Sequence, residues 1–301
     1  MIDRVLGVAA LVPFALGAVA PGPAAVPSSV DFTWRDPAVV ESSGLVVRDG
    51  LFVTVNDSGD SGRVFTVDPS GATVGVTSWP GDPVDDESMA PAGDGEVWVG
   101  DTGDNSRTRS TIVVRRVPFG RGDRAVTPAA YPLVYPDGPH DAETLLADPR
   151  SGRLLVVSKN IFGGTMYAAP AHLVAGRPNR LRAVADGLGY ATDGSFFPDG
   201  RRLVLRDYTS ATVWTWPGLR RVGTWLLPAQ RQGEGIAVAD DGSVHVSTEG
   251  QFSSVLTVHL PLGRWAWLTG RAWAVDTLLR GFVAKVPGLL RGHGAPASDV
   301  P

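Results

Sequence analysis

Five times along the chain one short plan recurs: an acid beside a small residue, a short apolar strand, a turn on Gly, and a second strand that ends in polar residues. The openings are Glu41-Ser42-Ser43-Gly44-Leu45, Asp86-Glu87-Ser88-Met89-Ala90, Asp141-Ala142-Glu143-Thr144-Leu145, Thr192-Asp193-Gly194-Ser195-Phe196 and Gly233-Glu234-Gly235-Ile236-Ala237. The turn glycines follow at Gly50, Gly95, Gly152, Gly200 and Gly242, and all but Gly152 stand directly after an aspartate, the chemistry of tight hairpins. A repeat of this kind decides the fold before any single residue does, because each unit must bury its apolar faces against its neighbours.

Between the repeats lie two further strand-like runs each time, such as Val64 to Val67 then Ala72 to Val76, or Val213 to Trp216 then Val222 to Leu227. Four antiparallel strands every 40 to 57 residues or so have the size of a propeller blade. The last repeat supplies only three strands, and Asp31-Phe32-Thr33-Trp34 at the other end of the chain is available to complete it. The expected fold is therefore an all-β single propeller of about five four-stranded blades, closed by the N-terminal strand, which leaves no open sheet edge. Six blades would follow if two are merged between Ser110 and Tyr135. A β-sandwich with similar turn spacing is the other fold that such punctuation allows, but it does not explain an acid recurring in one place.

Composition agrees. The 301 residues include 37 glycines and 24 prolines with only 19% charged residues, the signature of short strands broken by turns. A net charge of −4 gives no basic footprint, so nucleic acid is not an expected partner. With no cysteine there is no disulfide, thiolate metal site or acyl-cysteine anchor, and stability must come from packing.

Residues 1–25 have the outline of a signal peptide: Arg4, the apolar run Val5 to Ala20, then Pro21-Gly22-Pro23-Ala24-Ala25. A short uncleaved anchor is the alternative, although the run falls short of the roughly 20 residues that span a bilayer. Export, to the medium or the cell envelope, is the expectation. The propeller would occupy 26–262. In 263–301, Val275, Leu278, Leu279, Phe282, Val283 and Val286 recur at helical spacing among Arg264, Arg271, Arg280, Lys285 and Arg291. That tail would lie on a membrane surface as a peripheral contact or fold back as a cap.

In a blade, the start of the first strand and the end of the second meet at one face. The openings put Glu41, Glu87, Glu143, Asp193 and Glu234 there, one acid per blade, and the second strands end in Asn56-Asp57, Asp101 to Asn105, Lys159-Asn160, Arg206-Asp207 and Thr248-Glu249. So many carboxylates in a half-buried bowl need compensation, since like charges raise one another's pKa. Lys159, Arg206 and His140 supply part of it, and a divalent cation is the other natural answer, Ca²⁺ first for an all-oxygen set. Acids at blade ends also cap turns and stitch blades together, and each residue taken singly fits that role equally well. His140, beside Asp141 and Glu143, is either a proton shuttle or a polar strand start.

Familiar motifs do not carry over. Gly59-Asp60-Ser61-Gly62 echoes a serine-protease segment but reads as a turn, and there is no G-x-S-x-G elbow, H-E-x-x-H, Walker loop or complete EF-hand pattern.

Through Glu41-Ser42-Ser43-Gly44-Leu45, Asn56-Asp57-Ser58-Gly59 and the channel acids, the stretch from Glu41 to Gly250 resembles the exported bacterial propellers of the phytase-like and esterase-like groups and, more distantly, the gluconolactonase and regucalcin group. The resemblance implies a divalent metal at the channel mouth, with Glu41, Asn56, Glu87, Asp104, Glu143 and Glu234 as ligands. It implies His140 as acid/base, Lys159 and Arg206 holding an anionic group, and hydrolysis of a phosphoester or lactone-type ester. Phytate itself is disfavoured by the scarcity of basic residues. The alternative is a monomeric, non-catalytic binding propeller that presents the same face to a small molecule, a cell-envelope glycan or a protein partner.

Overall fold

The computed structural model describes residues 24–57, 59–93 and 95–262. Ala25–Leu260 form one compact unit. The expected tail lies outside the described residues, as does the expected leader apart from Ala24 and Ala25.

The unit is a five-bladed β-propeller. In chain order the blades are Ser42–Arg48, Leu51–Asn56, Arg63–Val67 and Thr73–Ser78; then Asp86–Gly93, Glu96–Asp101, Ile112–Pro118 and Ala130–Val134; then Ala142–Ala147, Leu154–Ser158, Met166–Ala168 and Arg182–Ala185; then Asp193–Phe196, Arg202–Arg206, Ser210–Thr215 and Arg221–Leu226. The fifth consists of Gly233–Val238, Val244–Thr248, Ser254–Val258 and, as its outermost strand, Ser28–Thr33 from the other end of the unit. Within each blade these four strands are antiparallel, and the first strands touch one another in cyclic order around the axis. The stretch from Ser110 to Tyr135 holds no sixth blade. It completes the second blade, and Arg124–Ala125 adds a short parallel strand to the edge of the first, as Asn179–Arg180 does to the second.

The turns explain the register. Arg48 pairs with Leu51, so Asp49-Gly50 is a two-residue hairpin, and both residues have positive φ, 54° and 69°. That is the type I′ geometry whose twist matches the flanking strands. First and second strands are buried along nearly their whole length, which is why Leu154–Ser158 reads LLVVS rather than alternating. Both faces of such a strand are covered, one by each neighbouring blade.

Inner strands crowd near the axis. A Cβ on Gly44 would stand 2.7 Å from the Met89 side chain of the next blade, so the inner strand takes a glycine at this point. The core lies between blades: Val46, Val53, Val64, Met89, Val97 and Val117 fill the space between the first and second, and Phe32, Trp34, Phe52, Phe65 and Val255 that between the fifth and first.

Ring closure uses a side chain as well as the ladder. The pairing of Ser28–Thr33 with Ser254–Val258 shifts register between Val30 and Phe32. At that bulge the Asp31 carboxylate lies 2.8 Å from Nδ1 of His245, one strand further in, and accepts from the Thr257 hydroxyl at 2.6 Å. A bulge re-aims one side chain without disturbing the rest of the strand.

Candidate functional site

The face formed by first-strand starts and second-strand ends is an acidic bowl over the channel. Its inner members are deeply set: Glu87, Glu143 and Glu234 are buried, as are Asp86, Asp101, Asp104, Asp141 and Asp193. Their partners divide them into structural and unspent groups.

Several are committed to the scaffold. The Asn56 carboxamide accepts from the amides of Val40 and Glu41 and donates to the Ala38 carbonyl and to Asp60. Asp104 accepts from the amides of Thr108 and Arg109, holding its own loop, while its amide donates to Asp141 of the third blade. Arg206 donates to the carbonyls of Asp207, Gly235 and Ser247 and to Gln230. Burial pulls its pKa down to about 10, against the charges of Glu234 and Asp193. Its Nη1 and Nε serve the framework of the fourth and fifth blades. Asp193 accepts from the amide of Gly194 in its own blade and that of Ile236 in the next, both at 2.7 Å.

His140 sits apart from the acids at the axis. Its Nε2 is 3.0 Å from Asp137 and 2.8 Å from the Tyr167 hydroxyl, and its ring meets Tyr135 edge-on. Chain adjacency to Asp141 placed it near the bowl, but its contacts belong to the second and third blades further out.

Nearer the axis, Lys159 forms an ion pair with Glu143, and its ammonium stands 5.3 Å from the Tyr190 ring centre and 5.4 Å from that of Tyr208. Burial works against the ammonium, but the Glu143 carboxylate outweighs it and holds Lys159 above its ordinary value. Glu143 itself is pushed up to about 8, chiefly by burial, with Lys159 opposing. Oε2 of Glu143 and Oε2 of Glu234 are buried and find no hydrogen-bond partner among the described residues.

The second group of acids has less compensation. Asp57, Asp85 and Glu87 bring carboxylate oxygens within 4.8 Å of one another. Burial, then the hydrogen bond and charge of Asp57, push Asp85 up to about 7, and burial with the charges of Glu143, Asp57 and Asp85 pushes Glu87 up to about 10. The cation that opposes the shift of Asp85 is Arg109, which is already bonded to Asp101 at 2.7 Å. Glu87 was expected at this face from the repeat. Asp85 was not, because it stands one residue ahead of the repeated opening.

Neither a family model nor a curated protein matches the chain. Of 685 solved chains that match in three dimensions, one described as "Streptogramin B lyase structure" aligns at a TM-score of 0.39 and 12% identity, over 73% of this chain and 65% of that one. So distant a likeness carries no argument about activity, and the fold stands on its strand pairing.

Glu41 edges the bowl near Glu249. Burial, and the charges of Asp57 and Glu41, raise Glu249, whose carboxylate accepts from Gln232 at 2.6 Å. At the opposite mouth of the channel, among the hairpins, a cavity of about 600 Å³ is lined by Leu45, Met89, Leu145 and Phe196, with Arg48 paired to Asp240 beside it. That mouth mixes apolar side chains with paired charges such as Arg116 with Glu96, whereas the bowl gathers carboxylates.

Proposed function

We propose that this chain is an exported binding propeller whose bowl takes up a divalent cation, Ca²⁺ first, through Asp57, Asp85 and Glu87. The observation that carries the reading is the meeting of three carboxylates within 4.8 Å, two of them with strongly raised pKa. Oxygens on opposite sides of one Ca²⁺ are about 5 Å apart, given metal–oxygen distances of about 2.3–2.6 Å, so this spacing suits a single hard cation. Such an ion would offset both the burial and the mutual repulsion that raise Asp85 and Glu87. Within the wider set drawn from the repeat, Asn56 and Asp104 are left to their turns and Glu143 to Lys159.

Binding is favoured over ester hydrolysis by the state of the side chains that turnover would need. His140 is engaged by Asp137 and Tyr167, Lys159 by Glu143, and Arg206 by main-chain carbonyls. Export rests on the leader-like composition of residues 1–25.

The test is thermal unfolding of the full chain in EDTA and with Ca²⁺, Mg²⁺ or Mn²⁺ restored, repeated on Glu87→Gln and on Asp85→Asn. A ligand bound only by the folded state raises the midpoint by mass action. Ca²⁺ is expected to raise it in the parent and in neither variant; a midpoint indifferent to every cation would overturn the reading.

A further inference from the structure

Exposed apolar side chains are not scattered evenly over this propeller. Among the described residues, the large ones that face solvent are Val40, Val84, Ile161, Phe162 and Phe252, together with Val30 on the outermost strand and Val174 in a peripheral loop. The first five all lie in the loops that edge the bowl. Val40 immediately precedes the first blade's inner strand and Val84 stands just ahead of the second's, Ile161 and Phe162 follow the third blade's second strand, and Phe252 follows the fifth's. Phe162 is 92% exposed and Ile161 76%, although folding normally hides such side chains.

This apolar collar surrounds an acidic centre. The Gly250 amide donates to the Val40 carbonyl, which ties the two loops carrying Val40, Glu41, Glu249 and Phe252 into one patch that is both apolar and acidic. Just inside it, the buried Oε2 of Glu234 has no hydrogen-bond partner among the described residues. At this face Lys159 is paired with Glu143, Arg109 with Asp101, and Nη1 of Arg206 with carbonyls, while Nη2 of Arg206 has no hydrogen-bond partner among the described residues and the exposed Arg231 stands beside Gly250. Exposed apolar side chains on four blades around these carboxylates mark a recognition surface, and its charge selects what it recognises.

We propose that the bowl face docks a polypeptide partner that inserts a lysine or arginine side chain toward Glu249 and Glu234 while apolar neighbours of that side chain pack on the collar. An anionic lipid surface is the wrong complement, because it would meet the acids rather than neutralise them. Phe162 and Phe252 act as anchors on two different blades, and Glu249 supplies charge selection. The inference goes beyond the cation reading and does not require it: Glu249 and Glu234 lie outside the proposed ligand set.

The experiment measures fluorescence anisotropy of short labelled peptides against the full chain at low and high salt. One peptide alternates Arg with Leu and Trp, a second has Glu in place of Arg, and a third has Ser in place of the apolar residues. The first is expected to bind, more weakly at high salt, and the other two about tenfold more weakly or not at all. Phe162→Ser combined with Phe252→Ser should weaken the first peptide about tenfold with the unfolding midpoint unchanged, and Glu249→Gln should weaken it and flatten its salt dependence. Equal binding of the Glu peptide, or undiminished binding by the double variant, overturns the proposal. So does binding of the parent to phosphatidylcholine vesicles that is lost in the double variant, an outcome that assigns the collar to a membrane. Repeating the series in EDTA and in Ca²⁺ separates the two readings: peptide binding with no cation effect on the midpoint leaves this inference standing and removes the cation site, and the converse removes this one alone.

Discussion

Lys159, at the end of the third blade's second strand, is ion-paired with Glu143 on the inner strand of the same blade, so that the bowl carries its own cation. Lys159→Met is expected to leave Glu143 and Glu234 without that compensation. Breaking one side of a buried pair costs up to about 3–5 kcal/mol, and because Glu143, at about 8, can then take up a proton, chemical denaturation should show a smaller loss at neutral pH than at alkaline pH. The double change Lys159→Met with Glu143→Leu should recover much of it. A loss equal to or larger than that of the single variant would show that the pair is not what stabilises this side of the bowl.

Glu234 titrates in an accessible window. Burial, opposed by Lys159 and Gln232, raises it from an ordinary 4.5 to about 7. The folded state therefore holds this proton more tightly than the unfolded chain, and the associated stability is present below pH 4.5 and lost as pH rises through 7. Glu234→Gln should lack this component, so its stability between pH 4.5 and 7 should fall less than the parent's, by on the order of 2–3 kcal/mol. Parallel curves for the two proteins would show that Glu234 does not hold the proton.

Asp193 joins the fourth blade to the fifth through the amides of Gly194 and Ile236. Burial raises its pKa while those two amides and Arg206 oppose the shift, so the carboxyl is an acceptor fixed in the interior. Asp193→Ala strands two buried amides and should cost about 2–4 kcal/mol, with Asp193→Asn between that variant and the parent. An alanine variant as stable as the parent would mean that the amides find water instead.

At the ring closure, Asp31→Ala should loosen one strand before the rest. Losing the contacts to His245 and Thr257 is expected to cost about 1–2 kcal/mol and to speed amide hydrogen exchange across Ser28–Thr33 ahead of the inner strands. Uniform acceleration over all blades would indicate global destabilisation without a local latch.

What could be read before folding, and what could not, divides along physical lines. Gly50, Gly95, Gly152, Gly200 and Gly242 were legible because a hairpin there needs positive φ, and all five have it. The shared face of the acids was legible for the same reason, since strand direction follows from the turns. The allegiance of each acid was not. Asp193 and Glu87 occupy equivalent openings, yet one is consumed by main-chain amides and the other faces like charges. His140 turns to Asp137 and Tyr167, partners that its adjacency to Asp141 along the chain does not reveal. Asp85 was missed for standing outside the repeat, and nothing in the sequence around Phe162 or Phe252 marks them as exposed at the same face.

The closing strand also has a consequence for the order in which the protein can be built. Asp31 and Thr257, which meet in the last blade, are 226 positions apart in the chain. At about 5–20 residues per second of synthesis, the strand Ser28–Thr33 emerges some tens of seconds before the strand it pairs with, Ser254–Val258, exists. Until then Phe32 can meet Trp34 and Phe52 but not Ala237 and Val255, which complete its core. The blades from Ser42 to Leu226 can pair strand by strand as they appear, but the circle cannot be completed before Val258 is made. A nascent chain of this design therefore needs its first strand kept from wrong company until its last has arrived.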